Sequence, residues 1–425
     1  MILKFFVLRR ESFNAIVNQC TPGTIAVVRP EKKLQNLIRE VIHKMIVEKQ
    51  PAGREVAAVT EYLKAVSPNA EYLQKVEVFI DYIQDYLRRA MGYPQLVSSV
   101  ENYLLAQCAY LCAQAVAFEA GVEVMDGREL VVCNEEAPAK VFDWAASSTE
   151  IRRKCAGKEC LVVSGGYART LLGTVLGIGK GGANMMTALM GSALHAEVIE
   201  FYVEGEGING VSAMTYDEAA HYCASSTAPF PSAALWPAKK AGIPIVVKSI
   251  LHPEFAGTRI SAEGEGASSA VLSGIISEKD LDLVTVYGTG LLGQVGASST
   301  IFSSLAGEGI NIRFISQTSS EYAISFAVPG KDSAKVAGII TSLIEENPLI
   351  PPDDVMMVNR EVGIITVYGS RMKNIPGVSG KVFSLLGQAG INVIASAQGG
   401  EELSISIVLD VQDLQKAVKA LEALR

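Results

Sequence analysis

The chain has 425 residues, 49% hydrophobic and 19% charged, enough apolar side chain for two or three folded domains and far from the composition of a disordered one. Its formal net charge is -8 and its lysines and arginines are scattered, so no basic field draws it to nucleic acid or to a membrane surface. Seven cysteines form no CxxC pair, and His43, His195, His221 and His252 show no metal-ligand spacing; a reducing, cytoplasmic setting is expected and no zinc site is.

Residues 1–10 run apolar side chains around Lys4 into two arginines, too short for a signal segment or a membrane span, and read as a first strand over 1–7. Further short buried strands are expected at 23–28, 159–163, 198–203 and 243–247. The longest helix is expected at 98–120, opened by Ser98-x-x-Glu101 as a capping box and stopped at Gly121, with Leu104, Cys108, Leu111, Ala115 and Phe118 striping one face. Strands alternating with helices imply an open, largely parallel sheet sandwiched by helices. The small polar run at 262–269 marks a linker, which separates a domain at 1–261 from a second part at 270–425.

That second part contains a repeat. Val284-Thr285-Val286-Tyr287-Gly288 matches Ile365-Thr366-Val367-Tyr368-Gly369 at an offset of 81 residues from Thr285 to Thr366. The same offset carries Phe302 onto Phe383, Gly309-Ile310-Asn311-Ile312 onto Gly390-Ile391-Asn392-Val393, and Gln317 onto Gln398. Each copy, near 282–345 and 362–425, reads as a strand, a glycine-containing loop, a helix at 298–308 or 379–389, two more strands and a final helix. This is a βαββαβ-like unit with antiparallel pairing, one sheet face covered by helices and sheet edges free to meet a second chain.

The repeats resemble the ACT domain, a regulatory amino-acid-binding module. The resemblance implies an effector held by the loop and helix start at Gly293, Gly296, Ala297 and Ser298, by Asn311 and Ile312 after the glycine turn, and by Gln317, with Asn392 and Gln398 as second-copy equivalents. Glycine lets the main chain approach a zwitterion, and free N–H groups at a helix start favour its carboxylate. Asn311 and Asn392 equally suit a plain turn.

Upstream, the chain resembles the aspartokinase family across nearly its whole length. Lys4-Phe5 resembles the opening Lys-Phe-Gly-Gly-Thr-Ser, and Gly179-Lys180-Gly181-Gly182-Ala183-Asn184 resembles Gly-Arg-Gly-Gly-Ser-Asp. Tyr216-Asp217-Glu218-Ala219, Ala241-Gly242-Ile243-Pro244-Ile245 and His252-Pro253-Glu254 are similar to further family signatures. The implied fold is an amino-acid-kinase-like domain followed by two ferredoxin-like ACT domains. The implied sites are Lys4 and Lys180 as residual catalytic cations, with Gly179, Gly181, Gly182, Glu204 and Glu206 at a nucleotide. Lys4 could instead be merely solvent-facing, and Glu204 and Glu206 a solvated turn. A dinucleotide fingerprint at Gly177-x-Gly179-x-x-Gly182 is the rival motif, and the neighbouring kinase-like segments account for it better.

Measured against the family pattern, several parts that phosphoryl transfer requires are altered. Phe6-Val7-Leu8-Arg9 replaces the flexible Gly-Gly-Thr-Ser cradle, Ala106 stands where the family has an acid, Ala183-Asn184 replaces Ser-Asp, and Ala228 replaces a lysine. The expectation is therefore a catalytically degenerate, amino-acid-binding regulatory relative in the aspartate-derived pathway to lysine, threonine and methionine. The alternative is an active aspartate kinase passing the ATP γ-phosphoryl to the β-carboxylate of L-aspartate under feedback control. ATP and Mg²⁺ are the implied cofactors if nucleotide binding is retained. The implied partners are lysine, threonine or methionine as effector, a second copy joined through the ACT repeats, and a complete aspartokinase.

Overall fold

The computed structural model describes residues 1–134, 141–179, 181–203, 208, 211–224, 228, 230–264, 271–288, 296–318, 322–346, 355–373 and 375–424. Packing divides the chain into two units, Met1–Ala267 and Ser268–Arg425.

The first unit begins β1 (Ile2–Leu8), α1 (Phe13–Val17), β2 (Thr24–Pro30), α2 (Lys32–Ile42), α3 (Gly53–Lys64), α4 (Ala70–Ala90), α5 (Val97–Ala120) and β3 (Glu123–Met125). It continues β4 (Val132–Asn134), β5 (Val141–Phe142), α6 (Trp144–Cys155), β6 (Cys160–Ser164), β7 (Tyr167–Thr170), β8 (Val175–Gly177) and α7 (Gly182–Ala193). It ends β9 (Val198–Val203), β10 (Ala213–Thr215), α8 (Tyr216–Cys223), α9 (Leu235–Ala241), β11 (Ile245–Ser249) and β12 (Thr258–Ser261).

Eight of these strands form one sheet in the order β10-β12-β11-β9-β1-β2-β6-β3, parallel throughout except where β11 and β12 run antiparallel. Both faces of β1 are apolar, as a central strand of a parallel sheet demands. Leu3 and Phe5 join a core with α7 and α9, while Phe6 and Leu8 join the opposite core with α2 to α5. A smaller sheet, β5-β4-β7-β8, adds a hairpin and was not foreseen from the sequence.

The long helix differs from expectation at its start. A 3₁₀ turn at Pro94–Leu96 runs straight into α5, so Leu96 takes the N-cap position with helical dihedrals and Ser98 caps nothing. Glu101 instead accepts from Arg39 Nε at 2.7 Å. The stripe through Leu104, Cys108 and Leu111 is buried, but so are Leu105, Ala106, Ala109 and Cys112, because α5 lies between the sheet and its neighbouring helices. A true capping box occurs at α8, where Thr215 Oγ1 accepts from Glu218 N and Glu218 accepts from Thr215 N.

The second unit comprises β13 (Gly274–Gly288), α10 (Ala297–Gly307), β14 (Phe314–Gln317), β15 (Ala323–Pro329), α11 (Ser333–Glu346), β16 (Val355–Tyr368), α12 (Val378–Gln388), β17 (Ala395–Gln398), β18 (Ser404–Leu409) and α13 (Leu414–Leu421). Its strands form one antiparallel sheet, β14-β15-β13-β16-β18-β17. Two strands are long because each serves both repeats. Residues 281–287 of β13 pair with β15 and 281–288 with 355–362 of β16, while 363–368 of β16 pair with β18 and 364–368 with 274–278 of β13. The register shifts between Glu278 and Leu281, where Asp280 adopts φ 61°.

Each repeat thus has four strands. The first is completed by the strand that follows it and the second by a strand that precedes both. Val284, Val286, Phe326 and Val336 form the first helical core, and Leu272, Ile365, Val367 and Val382 the second. On the other sheet face, Leu283, Phe314, Ile364 and Val408 form a third cluster. The edge strands β14 and β17 adjoin, Ser316 Oγ donating to Ser396 O at 3.3 Å. The sheet edges expected to be free for a second chain thus lie beside each other within this one.

Candidate functional site

In the first unit the carboxyl ends of β1, β9 and β11 converge, the usual place for a ligand in an open α/β sheet. Here β1 does not open into a loop after Lys4-Phe5. It stays in register with β2 as far as Leu8 opposite Pro30. Phe6 and Leu8 are buried, and the Phe6 ring stacks on Tyr202 with centroids 4.6 Å apart. What remains is a cavity of about 170 Å³ bordered by Phe6, Val7, Arg9, Tyr202, Ile250 and Leu251. Small-molecule sites are usually about 300–1,000 Å³.

Lys4 is only 7% exposed and points the other way. Its Nζ donates to the Gln19 carbonyl at 3.1 Å and to Gln19 Oε1 at 2.9 Å, in the turn that leads into the amino end of β2. Burial lowers the Lys4 pKa, with Glu200 opposing that shift. Glu200, opposite Lys4 in the ladder and also buried, accepts from Lys248 Nζ and, at 3.0 Å, from the Tyr202 hydroxyl. Lys4, Gln19, Glu200, Tyr202 and Lys248 therefore form a polar network across three strands, buried at Lys4, Glu200 and Tyr202 and half-buried at Gln19 and Lys248. Its signal was readable as charged residues inside apolar strands at Lys4, Glu200 and Lys248, of which sequence reasoning singled out only Lys4.

The glycine-rich segment leads into α7. Gly179 and Gly181 have φ of 95° and 73°, and Gly181 is the α7 N-cap. A Cβ at Gly181 would overlap the Pro231 ring and one at Gly182 would overlap Ile178, so these glycines permit close packing against the protein itself. Ala183 and Asn184 are buried, and Asn184 Nδ2 has no hydrogen-bond partner among the described residues. Ala106 is buried in α5, and Ala228 packs half-buried against the core. Lys180, Glu204 and Glu206 lie outside the described residues. Lys4 and the glycine segment have separate partners.

In the second unit, α10 starts after Gly296 at φ 91° and α12 after Gly377 at φ 86°, neither with a side-chain cap. First-turn N–H groups near Ala297 and Ser298 are thus left to other acceptors. Ser298 Oγ donates to Gln317 Oε1 at 3.4 Å, and Ser379 Oγ to Gln398 Oε1 at 3.1 Å, so both repeats bring a helix start against the end of an edge-side strand. Asn311 and Asn392 are exposed in the turns before β14 and β17, and Ile312 packs partly into the first repeat's core. Gly293 lies outside the described residues.

A three-layer α/β unit followed by two nested ferredoxin-like units defines the class: an amino-acid-kinase-type domain with ACT domains. The ACT domain family model matches residues 284–342 and 365–424. The chain is 31% identical over 346 residues to a bifunctional aspartokinase/homoserine dehydrogenase of Haemophilus influenzae, covering 78% of this chain and 39% of that protein. It is 27% identical over 374 residues to the chloroplastic bifunctional aspartokinase/homoserine dehydrogenase 1 of Zea mays, covering 83% and 40%. The fold matches E. coli aspartokinase III, solved in complex with lysine and aspartate, with a TM-score of 0.80 at 16% identity over 100% of this chain and 99% of that one. The chain belongs to the aspartokinase family. It spans less than half the length of those two bifunctional relatives. No described helix is long and apolar enough to cross a membrane.

Proposed function

We propose that this chain is a catalytically degenerate aspartokinase relative that binds a free amino acid in its ACT repeats and acts as a regulatory subunit or sensor in the pathway from aspartate to lysine, threonine and methionine. The observation that carries this reading is β1. Where phosphoryl transfer needs a glycine cradle and a free lysine, the strand continues, Phe6 and Leu8 enter the core, and Lys4 is held by Gln19. Loss of nucleoside triphosphate binding is supported by the narrow cavity at this sheet end, about 170 Å³, in whose wall Phe6, Val7, Tyr202 and Ile250 stand beside Arg9, Glu11 and Ser12. The uncapped starts of α10 and α12 and the matched Ser298–Gln317 and Ser379–Gln398 pairs support effector binding, a zwitterion finding N–H donors and side-chain amides side by side.

Aspartyl phosphate trapped as the hydroxamate at saturating ATP, Mg²⁺ and aspartate tests the catalytic half. The expected rate is at least three orders of magnitude below the ordinary kinase range of about 1–100 per second; a turnover inside that range would make the chain an active aspartate kinase. Thermal-shift screening of the twenty amino acids tests the other half. One of lysine, threonine or methionine should raise the melting temperature, and Ser298→Ala or Ser379→Ala should shrink that rise. No stabilisation by any amino acid would remove the sensor reading.

A further inference from the structure

The outer side of α4 carries a partly exposed stripe, in which Lys75 Nζ lies 5.5 Å from the Phe118 ring centroid and Tyr82 packs against Tyr86 and Tyr103, its hydroxyl donating to Tyr103 at 3.3 Å. The helix buries Tyr72, Val76, Phe79, Ile83 and Leu87 on its inner side. Outside, Glu71, Lys75, Val78, Tyr82, Asp85 and Arg89 recur at alternating intervals of four and three, the spacing of a coiled-coil seam. The middle of this seam is apolar and open, with Val78 65% and Tyr82 39% exposed. Beside it runs a groove of about 570 Å³ between α4 and α5, walled by Val78, Phe79, Tyr82, Tyr103, Gln107 and Tyr110.

The charges along the seam say what fits it. Reversed and laid on itself about the level of Ile80, the seam sets Glu71 against Arg89, Lys75 against Asp85, and Val78 against Tyr82. Every charged position then meets its opposite, and each pairing joins an a position to a d position, as antiparallel helices require. A parallel copy would set each charge against its own kind. Surfaces complementary to themselves under reversal belong to two-fold contacts between identical chains. We propose that a second copy of this chain docks antiparallel along α4, its two-fold axis at the level of Ile80, as a contact distinct from any made by the ACT repeats.

The geometry makes this contact modest. From Glu71 to Arg89 the seam is about 27 Å long at 1.5 Å per residue, and its two apolar contacts are flanked by four exposed ion pairs. Within one chain Asp85 already pairs with Arg89 at 2.6 Å, both more than half exposed, so exchanging that bond for a cross-chain one costs little. Association is therefore expected to weaken as salt screens the flanks.

Sedimentation equilibrium of the full chain at micromolar concentration tests the proposal. Val78→Arg, Lys75→Glu and Asp85→Lys should each halve the wild-type mass, whatever other interface is present. An equimolar mixture of the Lys75→Glu and Asp85→Lys chains should recover it, because each reversed charge then faces the other's. Circular dichroism melts within a few degrees of wild type would separate loss of contact from loss of fold. The proposal is overturned if Val78→Arg keeps the wild-type mass or if the mixture stays at the lower one.

Discussion

The first ACT repeat takes its fourth strand from the chain that follows it, residues 355–362, and the second from residues 274–278, ahead of both. Their inner parts match closely: Thr285 Oγ1 and Ser325 Oγ are 3.0 Å apart, and Thr366 Oγ1 and Ser406 Oγ are 2.9 Å apart. Near-identical interiors with unlike completion separate two roles of the sequence. The repeated residues fix each helix on its sheet, whereas the long strands β13 and β16 decide which segment closes each sheet. The second repeat therefore depends on pairing across about 90 residues of chain, which is costly to form early in folding.

The largest expected effect tests the likeness. Leu305 and Leu386 occupy equivalent positions on α10 and α12, and both are fully buried. Truncating either to alanine should cost about 2–5 kcal/mol by urea titration. Costs that differ by more than the width of that range would mean the two interiors are not equivalent.

A smaller effect tests the difference. Gly274 lies opposite Tyr368 in the ladder, and a Cβ there would overlap the Tyr368 ring, itself 2% exposed. Gly274→Ala should destabilise by about 1–3 kcal/mol through overpacking. Hydrogen exchange should show the loss of protection in α12, α13 and β18, with α10 and β15 little changed. Equal loss in both repeats would break the comparison.

The smallest effect is electrostatic. The Lys335 ammonium lowers the Glu308 pKa, chiefly by a side-chain bond, and Asp410 is lowered first by the Gln412 N–H and then by Arg360. Because the folded values lie below the unfolded ones of about 4.3 and 3.9, their stabilisation is present above about pH 4 and is lost as pH falls through the lower folded values. Glu308→Gln and Asp410→Asn should each flatten, slightly, the fall of the urea midpoint below pH 4. Curves parallel to wild type would remove these two groups from the acid response.

Much of this architecture was legible. The 81-residue offset located both repeats because Tyr-Gly ends and Gly-Ile-Asn turns are demanded by strand ends and helix stops that only a few residues satisfy. The completing strands were not legible, since 274–278 and 355–362 meet the assigned strands through the charged runs Glu278-Lys279-Asp280 and Arg360-Glu361, which read as strand ends. At the start of α5, Ser98-x-x-Glu101 has the capping pattern, but the turn at Pro94–Leu96 had already begun the helix and Arg39 claimed the acid. At the first unit's sheet end, the loss of Gly-Gly-Thr-Ser was visible in the letters. That β1 would carry on as a strand and that Lys4 would turn to Gln19 needed three dimensions, because a lysine inside an apolar run does not announce which end of the sheet it faces.

The exchanged strand also bears on how such a chain could be recombined. A duplication that copied one self-sufficient module would leave a seam where the modules could be cut apart. Here the boundary of the repeated letters and the boundary of the folded body do not coincide. A crossover placed after Asp280 would transfer both repeats and still orphan one of them, so inheritance of the paired ACT repeats has to carry the stretch from Gly274 onward as a single piece.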